Sequence, residues 1–324
     1  MSPKLIQARN VNHALSDAFW WLKTAGYTNT SRNGPVVVAP GPVLTTYTHP
    51  MERVLFTARR NANPFFHLLE SIWMLAGRAD ATWVERFNKR MREYAEPHSD
   101  TIHGAYGRRW RRHFGIDQLK SAFRLLSRDS KTRRAVIGMW SPEYDLDSSA
   151  KDVPCNTHIY LDTTQGELTM TVCCRSNDAL WGAYGANAVH FSILQQALAE
   201  GLGVAVGAYH QFSNNLHAYP TVEMAGEFLQ SPPEPDDRYA TDPRCKVLPL
   251  LNEEDTLWSF LQECQVFCEL DHYDGDNKFL ATVAQPMRDY YLHRKEVGAL
   301  IFLREMPDCD WKLAAIEWHE RNVK

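Results

Sequence analysis

Apolar residues recur at helical spacing between residues 11 and 25, at Val11, Ala14, Leu15, Ala18, Phe19 and Leu22, with Gly26 placed to end the run. The spacing predicts an amphipathic helix there, and Phe65, Leu68, Leu69, Ile72 and Leu75 predict a second over residues 65–75. A third helix is expected over residues 115–126. A fourth, over 188–202, is apolar at most positions and so suits a buried central place. Strands are expected at 36–39, 134–140, 158–163, 167–173 and 204–212, where β-branched and apolar residues cluster. Helices and strands interleave without regular alternation, which predicts an α/β (α+β) protein with a mixed sheet surrounded by helices. Neither a glycine- or serine-rich linker nor a repeat divides residues 1–324, so one domain is expected, with the proline-rich stretch 231–237 as a surface loop inside it.

Residues 158–163 and 167–173 meet at Thr164-Gln165-Gly166 and read as a hairpin. Its outer ends carry Val153-Pro154-Cys155-Asn156 and Cys174-Arg175-Ser176-Asn177-Asp178, so it brings a thiol and a guanidinium to one end of a sheet. A cysteine is most often a small buried hydrophobe. A nearby cation is what favours its thiolate, and Arg175 is placed to supply one. Arg175 and Ser176 together offer a planar fork and a hydroxyl to one anion, as a phosphate site needs. Arg32, just before the turn signal Asn33-Gly34, is a loop-borne cation able to close over a ligand. Arg133 and Arg134, adjacent on a strand, would point to opposite faces unless one sits in a bulge or turn.

A net charge of −4 provides no strongly basic surface, so nucleic acid is not an expected partner and any anion site must be local. The apolar runs fall short of the roughly 18 residues of a membrane span, and the N-terminus lacks a signal-like segment; a cytoplasmic protein without membrane contact is expected. Seven cysteines at irregular spacing point to reduced thiols. Cys264 and Cys268 lie one helical turn apart with no second pair near them, so no metal site is expected.

Taken in order, several motifs resemble the signature of the thymidylate synthase superfamily. They are Glu70 in Leu69-Glu70-Ser71-Ile72-Trp73, Tyr106-Gly107 ahead of Trp110-Arg111, Arg133-Arg134, Pro154-Cys155, Arg175-Ser176-Asn177-Asp178, Gly182, Asn187 and His217-Ala218-Tyr219. The resemblance runs from Arg32 to Tyr219. It implies that fold, a homodimer in which the sheet packs against its partner, and 5,10-methylenetetrahydrofolate as cofactor. It implies that Cys155 adds to C6 of a pyrimidine nucleotide, so that C5 becomes the carbon that takes the one-carbon unit. Arg32, Arg175 and Ser176 would hold the 5′-phosphate, with Arg133 and Arg134 reaching in from the second subunit. His217 and Tyr219 would bond the sugar hydroxyl and Asn187 would read the base. Glu70 would organise water and proton transfer, and Tyr106 and Asp178 would complete the catalytic set. Plain structural roles stand beside these: Glu70 paired with Arg78, Asp178 capping the next helix, and His217 and Tyr219 packed at a sheet edge.

The chain departs from the usual pattern at the base and folate sides. Asn156 follows the nucleophile where a histidine is usual, and Met91 and Tyr94 occupy the stretch of a folate-stacking tryptophan. Ala186 stands where the base-reading asparagine is expected, with Asn187 one position later, and the C-terminus lacks the short apolar tail. Looser stacking would let water rather than hydride reach the exocyclic carbon. The sequence therefore resembles the pyrimidine-nucleotide hydroxymethylase branch, including the CMP hydroxymethylases of nucleoside-antibiotic biosynthesis, and CMP or dCMP is the expected substrate. An asparagine can turn to match cytosine or uracil, so Asn187 alone leaves the base open. Ribose against deoxyribose is open as well. A thymidylate synthase methylating dUMP and a noncatalytic nucleotide-binding protein remain as alternatives. A cysteine hydrolase is disfavoured, because His158 would face away from Cys155 on an extended segment.

Overall fold

The computed structural model describes residues 2–323, which form two mixed sheets. The strands are β1 (Lys4–Ala8), β2 (Tyr27–Ser31), β3 (Gly34–Val38), β4 (Val43–Tyr47), β5 (Val136–Gly138), β6 (Asn156–Asp162), β7 (Glu167–Cys174), β8 (Asn177–Asp178), β9 (Ala205–Ser213) and β10 (Leu216–Ala218). The larger sheet runs β1-β4-β9-β7-β6-β5, with β1/β4 and β7/β9 parallel and the other neighbours antiparallel. Along β7 the side chains alternate as a pleated strand requires: Leu168, Met170, Val172 and Cys174 are buried, while Thr169, Thr171 and Cys173 stay partly exposed. Thr171 and Cys173 share their side of the sheet with partly exposed His210 and Phe212 of β9.

The buried face is covered by the helix Asn187–Leu202, nearly all of which is buried, as its apolar sequence predicts. Gln195 ties it to the sheet, its Nε2 donating to Leu168 O (2.8 Å) and Gly207 O (3.1 Å). The helix Pro64–Leu75 packs against it in turn. That helix starts at Pro64, which needs no amide partner at the first helical position, and Asn63 accepts from Phe66 N (3.0 Å).

Two expected elements are corrected. The helix expected over 115–126 begins later, at Gln118, because Gly115 takes a left-handed φ of +73° and Asp117 caps the helix by accepting from Lys120 N (2.9 Å). The strand expected over 134–140 shrinks to β5. Ahead of it Arg133 and Arg134 lie in an exposed turn in which Val136 N–H donates to Arg134 O (3.0 Å), a local bond in place of a sheet bond. The two arginines therefore do not alternate across a sheet.

The smaller sheet runs β2-β3-β10-β8. The β2/β3 hairpin turns at Arg32-Asn33, and Gly34 follows with φ +99°, a conformation that favours glycine. β10 lies between β3 and β8, so His217 is opposite Asp178 on one side and Val38 on the other. This sheet brings Arg32, Asp178, His217 and Tyr219 towards the end of the larger sheet where β6 begins and β7 ends.

Candidate active site

The β6/β7 hairpin does what its sequence predicts. Asn156 is opposite Cys174, and Arg175 N–H donates to Cys155 O (2.8 Å), so thiol and guanidinium share one sheet end. Cys155 is fixed from the other side by Tyr106 on the short helix Tyr106–Arg111. The amides of Cys155 (3.3 Å) and Asn156 (3.2 Å) both donate to Tyr106 Oη. Burial, and then the nearby Cys155, raise the Tyr106 phenol well above its ordinary range. The hydroxyl thus stays neutral, accepts both amides and keeps its own proton to donate.

The Cys155 thiol is raised above its ordinary pKa. Burial pushes it up, Arg175 and Arg32 pull it down, and Asp152 and Asp178 oppose them. Arg175 thus supplies the lowering charge expected of it, and burial outweighs it. The guanidinium is engaged elsewhere: Nε donates to Pro154 O (2.8 Å), Nη2 to Val153 O (3.0 Å), and the group lies 5.2 Å from the Trp140 ring centroid. Arg32, exposed at its hairpin tip, donates to Lys151 O (3.4 Å). Two cations therefore strap the carbonyls of the segment that carries Cys155. Ser176 is adjacent and half-buried.

His217 Nδ1 contacts Asn215 Oδ1 (2.9 Å), and its ring meets Tyr219 edge to face at 5.2 Å. Asn33 Nδ2 donates to Tyr219 Oη (3.4 Å), which links the hairpin tip to this pair. Asp178 does cap the following helical segment, accepting from Leu180 N (2.8 Å) and Trp181 N (2.7 Å). Burial raises its carboxyl, against the pull of those amides, His217 and Arg60.

Glu70 is not paired with Arg78, which binds Asp80 instead (2.7 Å). Its Oε2 lies 3.1 Å from His190 Nε2, close enough for charge contact but off the line of a hydrogen bond, so both buried atoms lack a hydrogen-bond partner among the described residues. Both side chains line a cavity of about 150 Å³ whose wall also holds Trp73, Met91, Tyr94, Tyr106, Asp152 and Asn187. Asp152 accepts from Gly104 N (3.1 Å), and burial raises its carboxyl.

Arg133 and Arg134 do not join this cluster. Leu161 N–H donates to Ala135 O, which places the pair near the far end of β6 from Cys155, about 20 Å along the strand at 3.3 Å per residue. His190, Asp152 and Asn156 are the site residues that sequence reasoning missed or treated only as departures. The available signal was polar residues in otherwise apolar surroundings, since Asn187 and His190 sit one turn apart on a helix that is buried almost throughout.

The sequence matches a known family. The thymidylate synthase family model matches residues 38–272, and the chain belongs to that family. Over 335 aligned positions it is 43% identical to the deoxyuridylate hydroxymethyltransferase of Pseudomonas phage M6, covering 98% of this chain and 94% of that one. The deoxyuridylate hydroxymethyltransferase of Bacillus phage SP01 is 36% identical across 55% of this chain and 49% of its own. The thymidylate synthase of Streptococcus suis is 34% identical across 41% of this chain and 48% of its own. The family uses 5,10-methylenetetrahydrofolate as its one-carbon donor. The lining suits the flat ring of such a group: Trp73, Met91 and Tyr94 give apolar wall, while Asp152 and the Glu70 and His190 atoms that lack a hydrogen-bond partner among the described residues provide polar contacts. Among the described residues no helix is long and apolar enough to cross a membrane.

Proposed function

We propose that this protein is a folate-dependent 5-hydroxymethylase of a pyrimidine deoxynucleoside monophosphate, with dUMP as its substrate. The observation that carries the reading is the pinning of Cys155 to Tyr106, whose side chain lines the cavity shared by Glu70, Asp152, Asn187 and His190. The substrate named for the two phage relatives favours uracil over the cytosine expected from sequence alone. dCMP is the runner-up, because the Asn187 carboxamide turned over would match cytosine.

In the reaction, Cys155 gives up its proton and its sulfur bonds to C6, moving the C5–C6 electron pair to C5. The cofactor supplies a one-carbon unit at the oxidation level of formaldehyde. C5 would bond that carbon and lose its own proton as the carbon's bond to the cofactor nitrogen breaks, releasing tetrahydrofolate; water would then add to the exocyclic carbon as the C5–C6 double bond re-forms and the sulfur of Cys155 leaves C6 as thiolate, which takes up a proton. Glu70 and His190 hold and deprotonate that water. Arg32, Arg175 and Ser176 take the phosphate, whose charge-assisted bonds outcompete the neutral carbonyls of residues 151–154. His217 and Tyr219 take the sugar hydroxyl. A homodimer would bring Arg133 and Arg134 of the second copy to the phosphate, and the partly exposed face of β7 and β9 suits such a partner.

The test is incubation with 5,10-methylenetetrahydrofolate and dUMP, dCMP, UMP or CMP in parallel, reading product mass and dihydrofolate absorbance together. dUMP should gain CH2O without dihydrofolate. Methylated dUMP with stoichiometric dihydrofolate would make the protein a thymidylate synthase. Nucleotide binding that survives Cys155→Ala, with no product from the intact protein, would make it a noncatalytic binder.

A further inference from the structure

Asn156 heads a buried row of three carboxamides. Its Nδ2 donates to Asn187 Oδ1 (3.1 Å), Asn187 Nδ2 donates to Asn177 Oδ1 (3.0 Å), and Asn177 Nδ2 donates to Ser213 Oγ (2.9 Å). Asn156, Asn177 and Ser213 are at most 1% exposed, whereas Asn187 borders the cavity. Gly182 leaves the space the row needs: a Cβ there would lie 2.8 Å from Asn177 Oδ1 and 3.4 Å from Asn187 Nδ2.

A carboxamide accepts on one edge and donates on the other, so the row has two polarities with the same number of bonds. In the alternative, Asn187 Nδ2 would donate to Asn156 Oδ1, Asn177 Nδ2 to Asn187 Oδ1, and the Ser213 hydroxyl to Asn177 Oδ1. Ser213 serves either polarity, being donor and acceptor. Asn156 does not. As the row stands, its Oδ1 has no partner among the described residues, and the reversed row would leave its amine unpaired there instead. A buried unpaired N–H is rarer than an under-used carbonyl, which favours the polarity seen. Turning Asn187 alone would set nitrogen against nitrogen and oxygen against oxygen.

We propose that the polarity of this row, set at Asn156, fixes which edge of Asn187 meets the base and so decides between uracil and cytosine. The two bases differ by the same inversion: uracil offers a donor at N3 and an acceptor at C4, and cytosine the reverse. A base held at C6 and by its phosphate presents that edge in one order, so one amide orientation fits. The inference rests on the pyrimidine-nucleotide reading above, and the polarity seen is assigned to uracil on that reading.

The test measures dUMP and dCMP binding to the purified protein by calorimetry, without folate, at about pH 8.5, where an ordinary carboxylate is ionised. Asn156→Asp leaves only acceptors at the head of the row, draws Asn187 Nδ2 to itself and reverses the row. The preference should swap from dUMP to dCMP, with a change in the affinity ratio of at least about tenfold. Asn177→Asp makes the same chemical change at the next position but keeps the polarity, so dUMP should stay preferred. A general effect of a buried carboxylate would move both variants together, and that result would overturn the proposal, as would an unchanged preference in Asn156→Asp. A wild-type protein that prefers dCMP, with Asn156→Asp turning to dUMP, would uphold the row and overturn the uracil assignment. If Asn156→Asp has no cooperative melting transition, Asn156→Ala decides: without its anchor Asn187 turns freely and the ratio should fall to within about threefold of unity. An unchanged ratio there would overturn the proposal.

Discussion

Tyr106→Phe removes one oxygen and leaves the ring, which packs 5.9 Å from Phe191, in place. The oxygen accepts the Cys155 and Asn156 amides at 3.3 and 3.2 Å. Each such bond contributes about 0.5–1.5 kcal/mol net, and these lie at the long end of the usual range, which points to the lower values. The expected loss of stability is about 1–2 kcal/mol, read from paired urea unfolding curves with an unchanged slope. Because the segment released carries the nucleophile, turnover should fall by about 5–30-fold, the kinetic equivalent of that energy. Nucleotide affinity should hold to within about twofold, since the phosphate and base contacts lie elsewhere. Stability and turnover both at wild-type level would refute the role given to this oxygen. Lost nucleotide affinity with normal stability would mean that the phenol acts on the substrate.

Other outcomes follow from the same geometry. Asp145 is sealed with Arg109, at 2.7 and 2.8 Å, and Asp145→Asn leaves a buried cation without its partner; about 3–5 kcal/mol should be lost in chemical denaturation, and a loss below about 1 kcal/mol would contradict the reading. Burial alone would raise the Asp145 carboxyl, but Arg109, the Ser141 amide and His103 overcome it and hold the group below its ordinary value. A carboxylate lowered in the folded state adds stability above its unfolded pKa that is lost as pH falls through the folded one. Stability should therefore drop below about pH 4, and Asp145→Asn should remove that part of the drop. The raised Cys155 thiol should react with iodoacetamide more slowly than free cysteine at neutral pH, and more slowly still in Arg175→Ala, which removes a lowering cation; mapped alkylation rates check this. Mixing Cys155→Ala with an Arg133→Ala/Arg134→Ala double variant should restore roughly a quarter of wild-type sites if the arginines act across a two-fold dimer, and none if they act within one chain.

Much of the site was legible because its residues sit on strongly patterned elements. The helix Val11–Ala25 has the bounds that its apolar spacing predicts. The β6/β7 hairpin follows from two β-rich runs around Thr164-Gln165-Gly166, and it alone suffices to join Cys155 to Arg175. The short strands β8 and β10 were not legible: two or three residues carry no period, and only the pairing of β10 with β3 and of β8 with β10 gathers Arg32, Asp178 and His217. Arg133 and Arg134 fall in the turn that their sequence left open beside a strand, because local turn bonds displaced the strand that composition favoured. His190 escaped notice for a different reason. Its contact with Glu70 joins two helices far apart in sequence, and nothing local to either helix signals it. The amide row is equally nonlocal, linking Asn156 in β6 to Asn177 in β8, Asn187 in a helix and Ser213 in β9.

The nucleophilic role of Cys155 is the claim on which the rest depends, and intact-protein mass spectrometry with 5-fluoro-dUMP and 5,10-methylenetetrahydrofolate tests it most directly. Fluorine at C5 cannot leave as a proton does, so the reaction should halt with nucleotide and one-carbon unit attached to the protein. Peptide mapping should locate the adduct on Cys155, and Cys155→Ala should give none. An adduct on another residue, or hydroxymethylated product from Cys155→Ala, would contradict the account.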